Sequence, residues 1–340
     1  MAIRRILLYC LTLAFSLGAE AQTVVIKLAM VAPKDSVWYE YLQEIDQGWR
    51  EASGGTVTLK IYAGTLGDED DIMRRVRIGQ LDAATVSTVG LSTIDQAATA
   101  LHIPLAFASY KELDYAQEGI ADELENVLKK KNLIVLNWGD AGWVRLFAKS
   151  PVQRPDDLRA QKLFIWAAGN DTETGELWKR HGFQPVTLTT VDILPALQTG
   201  MITAYEAPAL AALANQWFAF TPYMSDIKVV PLTGATVVAE RTWSNIPTGL
   251  QRKLKRIAQQ AGERLRTKVR QLEQEAIEAM VKHGLHVVAV SPEARKEWDD
   301  LAQSVYPRIR GTIVPAEYFD EVIALRDEFR AGGKTLAPEH

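Results

Sequence analysis

The residues of this sequence best suited to catalysis or metal binding are its histidines and one acidic run. The five histidines are His102, His181, His283, His286 and His340. The closest pair, His283 and His286, flanks Gly284 at a predicted helix end, where a solvated terminus is favoured over a zinc site. The acidic run 68–71 lacks the alternating ligands and closing glutamate of a calcium loop, and its charges suit the first turn of a helix. Neither group predicts a metal site.

No catalytic motif accompanies these residues. Gly64-x-x-Gly67 lacks the lysine and the further glycines of a phosphate-binding loop and is typical of a turn. A nucleophile elbow and a convincing acid/base pair are also missing from the sequence. The only cysteine, Cys10, lies in the first 21 residues, so the chain after them has no disulfide, thiolate metal site or cysteine nucleophile. The sequence therefore predicts a protein that is not an enzyme and that needs no cofactor.

Aromatic side chains are concentrated in the middle of the sequence and are its one unusual resource for binding. They are Trp138, Trp143, Phe164, Trp166, Tyr205, Trp217, Phe218 and Phe220. Such a set can stack on a ligand or fill a core, and spacing alone favours the core. Strand alternation places Phe164 and Trp166 on one face. Without a catalytic motif, binding is the function that these residues predict.

The first 21 residues have the order of a cleavable signal peptide. Arg4 and Arg5 form its positive end, residues 6–17 are apolar, and residues 19–21 read Ala-Glu-Ala before a predicted cleavage site. The apolar stretch is shorter than the roughly 20 residues that span a bilayer, and no later segment comes close. Bulky Tyr9 before Cys10 argues against lipidation. We therefore expect a periplasmic protein whose mature chain begins at Gln22.

The composition of the rest of the chain limits its possible domain number and partners. About 320 mature residues with 47% hydrophobic content can bury a large core and suggest two domains. The formal net charge of −4 gives no sign of a nucleic-acid partner. No repeat, low-complexity tract or flexible linker occurs. Two domains would therefore be joined by direct crossings of the chain.

Short β-branched runs alternate with longer helical patterns, which is typical of a βα layered fold. The predicted strands are 24–31, 57–62, 82–89, 133–138, 144–148 and 162–166, and the predicted helices are 36–53, 69–78, 172–181 and 191–199. Ser36 is a predicted helix cap, and Gly182 and Gly200 are predicted helix ends. Ser291-Pro292-Glu293 has the pattern of another helix start.

One long amphipathic helix is predicted from Leu250 to Val281, with a kink at Gly262. Its apolar positions keep helical spacing, and charges of both signs lie between them. A membrane-surface or partner-binding helix and a scaffold across two domains are both compatible with this pattern. The mixed charges favour the scaffold.

Several segments together resemble the substrate-binding proteins of TRAP (tripartite ATP-independent periplasmic) transporters. The matching segments are 26–33, 62–69, 78–82, 103–107, 149–152 with 156–158, 196–200, Glu206-x-Pro208 and Trp243-x-x-Ile246-Pro247. Each is weak alone, but their order covers nearly the whole mature chain. The resemblance implies a two-domain α/β periplasmic binding protein (type II-like), with a ligand cleft and a long domain-bridging helix. The expected domains are 22–141 plus 231–270 and 142–230 plus 271–340.

The departures from that family pattern concern its acid-binding positions. Phe164 stands where the resemblance implies an arginine that holds a carboxylate in two hydrogen bonds. Val144 stands where a second arginine is common, with Arg145 next to it on the opposite face of a strand. Thr203-Ala204 replaces a familiar Asp-Gly, and Ala207 replaces an asparagine. Repeated loss of polar groups favours a pocket for apolar surface.

The expected ligand-binding residues follow from this matching. They are Val31, Ser87, Gly90, Val144, Arg145, Phe164, Trp166, Ala167, Thr190, Tyr205 and Ala207. The leading hypothesis is a binding protein that delivers an apolar or amphipathic small molecule to a TRAP membrane permease. The pattern resembles the branch that works with a tetratricopeptide-repeat partner. The alternatives are an ordinary carboxylate binder that uses Arg145, an exported enzyme, and a lipid-carrying chaperone without a permease.

Overall fold

The chain is described here by a computed structural model that covers residues 23–166 and 172–332. Within these ranges ten strands form one sheet. The strands are β1 Val24–Met30, β2 Val57–Ala63, β3 Ala83–Ser87, β4 Leu133–Ala148, β5 Lys162–Phe164, β6 Gln184–Val186, β7 Ala204–Pro208, β8 Tyr223–Ser225, β9 Val230–Ala239 and β10 His286–Val288. The signal sequence with Cys10, the predicted site residue Ala167, and His340 lie outside the described residues.

Helices cover both faces of the sheet. They are α1 Val37–Ser53, α2 Glu69–Arg77, α3 Thr88–Ser92, α4 Tyr110–Lys130, α5 Pro155–Arg159, α6 Thr172–Arg180, α7 Ile193–Thr199, α8 Ala209–Ala214, α9 Glu240–Trp243, α10 Thr248–Lys282, α11 Pro292–Ile309 and α12 Ala316–Ala331. Short 3-10 turns occupy Gln96–Thr99, Thr190–Asp192 and Trp217–Phe220. In the described part of the chain, no helix is both long and apolar enough to cross a bilayer.

The strand order β2-β1-β3-β9-β4-β7-β5-β6 joins two groups of parallel strands through the antiparallel pair β9 and β4. In the first group, β1 is parallel to β2 and β3. In the second group, β5 is parallel to β6 and β7. Strand β9 pairs with β3 of the first group, and β4 pairs with β9 and with β7 of the second group. The sheet is therefore one continuous structure with two halves.

The strand register shows that the two halves point their strand ends at each other. Ser87, the last residue of β3, lies opposite Gly234, which in turn lies opposite Gly139 of β4. Pro208, the last residue of β7, lies opposite Val144 further along β4. Since β3 runs parallel to β4's direction and β7 runs against it, the carboxyl ends of both groups converge on the middle of β4. Ligands of open α/β sheets bind at such ends.

Helix α10 braces both halves. Its 35 residues span about 52 Å at 1.5 Å per residue. Its first part buries Leu254, Leu265 and Val269 in the core of the first half, and its last part buries Ile277 and Met280 in the core of the second. The scaffold role predicted for this helix is thus confirmed.

Most predicted elements are confirmed, and one is corrected. The hydroxyl of Ser36 accepts a hydrogen bond from the Tyr39 N–H at the start of α1, and Ser291 caps α11 in the same way. The two strands predicted at 133–138 and 144–148 are a single strand, β4. Register shifts beside Gly142, whose φ is +99°, let β4 bend while it continues into the second half.

Helix α10 is continuous through Gly262, from Thr248 to Lys282, and the kink expected there stays a prediction. Position 262 requires glycine for a steric reason. A Cβ at Gly262 would lie 2.6 Å from Nδ2 of Asn137, so only glycine lets α10 approach β4 this closely.

The predicted domain boundaries stay a prediction. Helix α12 packs against α4 through Phe319 and Val322, although the predicted division assigns these two helices to different domains. The chain passes between the two halves near Gly142 in β4 and near Val230 in β9, and both places lie close to predicted boundaries.

Candidate functional site

The candidate site lies at the middle of β4, between the converging strand ends. A side chain at Gly139 would meet no other atom within 4 Å, so space is open beside the strand at this point. Trp166 follows β5, and Glu206 is the third residue of β7. Both side chains are half-buried. They form the wall of the second half at the candidate cleft.

Trp166 and Glu206 hold each other in place by two hydrogen bonds. The indole N–H of Trp166 donates to the backbone oxygen of Glu206 over 2.8 Å, and the backbone N–H of Trp166 donates to Glu206 Oε1 over 3.3 Å. Burial raises the pKa of the Glu206 carboxyl to about 7, and the hydrogen bond from Trp166 opposes that rise. A carboxyl group with this pKa changes charge near neutral pH.

Trp166 is the accessible end of an otherwise buried aromatic cluster. It contacts Phe164 edge to face at a centroid distance of 4.9 Å, which confirms that these two side chains share a face. Trp166 also contacts Trp217, which packs against Tyr205, and Tyr205 stacks on Phe147 at 4.9 Å. Phe164 and Tyr205 have no exposed surface, and Trp217 is 2% exposed. These three aromatic residues form core, as the spacing favoured.

Glu69, the first residue of α2, organises the wall of the first half. Its carboxylate accepts hydrogen bonds from the backbone N–H and hydroxyl of Ser87 and from the backbone N–H of Gly90. A Cβ at Gly90 would lie 2.8 Å from the Cβ of Glu69, so glycine is required for this approach. Burial raises the pKa of Glu69, and the three hydrogen bonds oppose the rise.

The two halves touch across the cleft at Thr190 and Asp68. The hydroxyl of Thr190, in the 3-10 turn after β6, donates to Asp68 Oδ1 over 2.8 Å. Asp68 directly precedes α2 in the first half. Val191, which follows Thr190 in the chain, is 80% exposed, and Val31, which follows β1, is 36% exposed. The hydrogen bond joins the two halves at this edge.

Arg145 is paired with two carboxylates of the protein itself. Its Nη1 donates to the backbone oxygen of Asp226 over 3.1 Å and to Asp226 Oδ1 over 3.2 Å, and its Nε lies 3.7 Å from Glu273 Oε1 in α10. The residue is 6% exposed. Glu273 in turn accepts from the hydroxyl of Tyr110 and from the backbone N–H of Trp143. A ligand that binds Arg145 must therefore compete with these two carboxylates for its charge.

The predicted site residues thus separate into two groups. Those with accessible surface at the cleft are Val31, Ser87, Trp166 and Thr190. Those buried in the protein are Gly90, Val144, Arg145, Phe164, Tyr205 and Ala207. The ligand contacts of both groups stay predictions, and those of the buried group require a change of conformation.

Sequence reasoning missed Glu206, Glu69 and Asp68 as site residues. All three lie in segments that carried the family resemblance, so a signal for them was present. The acids at 68–71 were interpreted only as a helix start, which they are, since three of them lie in the first turn of α2. Among the described residues no group of three or more His, Cys, Asp or Glu could hold a metal ion.

Comparison with known proteins agrees with this architecture. The family model of the bacterial extracellular solute-binding proteins of family 7, DctP, matches residues 28–311. A solute-binding protein of Chromohalobacter salexigens is 26% identical over 219 residues, which cover 64% of each chain. The C4-dicarboxylate-binding periplasmic protein DctP of Rhodobacter capsulatus is 21% identical over 301 residues, which cover 87% of this chain and 89% of that protein.

Solved structures share the fold. The sugar acid binding protein of Advenella mimigardefordensis, in complex with galactonate, aligns with a TM-score of 0.83 at 16% identity. The alignment covers 90% of this chain and 99% of that protein's chain. That likeness confirms the predicted two-domain fold. Because the family model spans most of the sequence, this chain belongs to the DctP family, family 7 of the bacterial extracellular solute-binding proteins.

Proposed function

We propose that this chain is the periplasmic binding component of a TRAP transporter and that it captures an amphipathic organic acid. The observation that carries the proposal is the pair of Trp166 and Glu206 at the cleft. The pair combines a partly exposed aromatic residue with a half-buried glutamate. An aromatic wall suits an apolar ligand body, and a polar group beside it suits a single polar head.

The acid part of the proposal is supported by relatives. The Rhodobacter capsulatus protein is described as binding C4-dicarboxylates, and the Advenella mimigardefordensis structure contains galactonate. The apolar part is supported by the residues at the positions where cations were expected. Arg145 is occupied by Asp226 and Glu273, and Phe164 and Val144 stand at the positions expected for arginines. A multiply charged acid would need cations at such positions.

A chain-length series tests this ligand class. Each buried methylene contributes about 0.8 kcal/mol, which corresponds to about a fourfold change in affinity. We therefore expect the Kd to fall about fourfold per added carbon from hexanoate to decanoate in isothermal titration calorimetry. Trp166→Ala should weaken decanoate binding more than hexanoate binding. Trp178→Ala is the matched control, because Trp178 packs on Phe183 in a hydrophobic cluster separate from that of Trp166.

Succinate, galactonate and glucuronate form the second arm of the test. Tight binding of one of these acids, with no dependence on alkyl chain length, would contradict an apolar cleft. It would favour the carboxylate binder that uses Arg145. Loss of that binding in Arg145→Ala, with the protein still folded, would establish the arginine as the clamp.

Export and partners are part of the same proposal. We expect cleavage after Ala21, which N-terminal sequencing of protein from a periplasmic extract would show as a mature chain that begins at Gln22. A TRAP permease should co-purify with the ligand-loaded protein after crosslinking. A tetratricopeptide-repeat partner is a further prediction, tested in the same crosslinked sample.

A further inference from the structure

The carboxyl group of Glu206 is desolvated and, among the described residues, has no cationic partner. In the described part of the chain, its side chain has one hydrogen bond, from the backbone N–H of Trp166, and no lysine, arginine or histidine pairs with it. The residue as a whole is half-buried, and because β7 lies between β4 and β5 its accessible surface belongs to the side chain beside Trp166. A ligand can therefore reach it.

Among the described residues, the strands and the helix next to Glu206 place no charged side chain against it. On β4, the residue opposite Glu206 is Leu146, and the flanking Arg145 lies on the other face with Asp226. On β5, the only titratable residue is Lys162 at the far end of the strand. Helix α8, which follows β7, contains only alanine and leucine. The carboxyl group is thus set among apolar and backbone groups.

A carboxyl group in such a place favours its neutral form, because burial penalises the charge and no cation compensates it. Burial accordingly raises the pKa of Glu206 to about 7. The neutral form has an O–H donor, which the carboxylate lacks. A donor at this position can do for a ligand carboxylate part of what an arginine would do.

We propose that Glu206 binds the carboxylate of the ligand as a neutral acid, through one short hydrogen bond from its O–H to the ligand oxygen. This inference rests on the proposed function and specifies how its acid is recognised. When Glu206 is ionised before binding, the complex takes up one proton from solvent. This proton then lies between the two carboxyl groups. No other bond forms or breaks. A ligand with one carboxylate and an apolar body fits this arrangement.

The proton requirement fixes the sign of the pH dependence. Below pH 6 Glu206 is already neutral, so affinity for an ionised ligand is independent of pH. Above pH 7 the proton must be added, and affinity should fall about tenfold per pH unit. Between pH 6.0 and 8.5 we expect the Kd for octanoate to rise about 30-fold. Calorimetry in buffers of different ionisation enthalpy should show close to one proton taken up at pH 8.5.

Variants separate the hydrogen bond from the charge. Glu206→Gln keeps a donor that does not titrate, so its Kd for octanoate should be the same at pH 6.0 and 8.5. Glu176→Gln, in helix α6, is the control and should keep the wild-type pH dependence. If the Glu206 variant does not fold, the wild-type pH profile and proton uptake still decide the question.

Other outcomes overturn the inference in distinguishable ways. Octanoate binding that is independent of pH in the wild type would remove Glu206 as a proton donor but leave the proposed function intact. Binding of octylamine in preference to octanoate, stronger at high pH, would show that Glu206 acts as an anion. Failure of every tested acid to bind between pH 5.5 and 8.5 would contradict the proposed function and this inference together.

Discussion

Thr190 and Asp68 join the two halves of the protein by a hydrogen bond of 2.8 Å, although 122 positions separate them in the chain. The donor lies in a 3-10 turn of the second half, and the acceptor lies immediately before a helix of the first. Opening of the cleft at this edge must break this bond. The pair therefore contributes to the balance between open and closed conformations.

Thr190→Val should shift that balance towards the open form. A single hydrogen bond contributes about 1 kcal/mol, which corresponds to about a fivefold change in the ratio of closed to open molecules. Small-angle X-ray scattering of the ligand-free protein should show a larger radius of gyration than the wild type. Thr189→Val is the control, because Thr189 donates only to Asp192 within the same turn. Identical scattering of the two variants would argue against the role of Thr190.

Replacing Arg145 should destabilise the fold. Arg145→Ala leaves Glu273, which is 5% exposed, without its cation, and breaking a buried pair in this way costs about 3 kcal/mol. Urea denaturation should show this loss in the free energy of unfolding. The double variant Arg145→Met with Glu273→Leu should recover part of it, because no buried charge is left unpaired. A fully stable Arg145→Ala protein would mean that the pair is not a structural element.

Gly262→Ala should also destabilise the protein, in spite of alanine's better helix propensity. The added Cβ would lie 2.6 Å from Asn137 Nδ2 and 3.0 Å from its Cβ, so the whole asparagine side chain must move. That movement would disturb its hydrogen bond with the hydroxyl of Tyr41. We expect a loss of about 1–3 kcal/mol in thermal or urea unfolding.

The control for this variant lies in the same helix. A Cβ at Gly249 would meet no atom within 4 Å. Gly249→Ala should therefore be neutral or should stabilise the protein by up to about 1 kcal/mol. Equal effects at the two glycines would contradict the close approach of α10 to β4.

The stability of the ligand-free protein should depend on pH through Glu206. Its pKa is raised from 4.5 to about 7 in the folded protein, so the folded state holds the proton more tightly than the unfolded chain. The stabilising effect is complete below pH 4.5 and is lost as the pH rises through 7. Relative to the wild type, Glu206→Gln should gain about 2–3 kcal/mol of stability between pH 5 and pH 8. A difference between the two proteins that is constant over this range would show an ordinary pKa for Glu206.

Local patterns in the sequence determined the elements and the family. The caps at Ser36 and Ser291, the range of α10 and the shared face of Phe164 and Trp166 all depend on neighbours a few residues away, which spacing reveals. The ordered family motifs likewise sufficed for the two-domain fold. In each case the physical cause lies within one helix, strand or turn.

The tertiary structure alone decided how these elements meet at the cleft. It made β4 a single strand through both halves, buried Phe164 while leaving Trp166 accessible, and paired Arg145 with Glu273. Among the described residues it also left Glu206 without a cation, and it brought Thr190 to Asp68. These features depend on desolvation and on contacts between residues distant in the chain, and no local pattern of residue types records either of them.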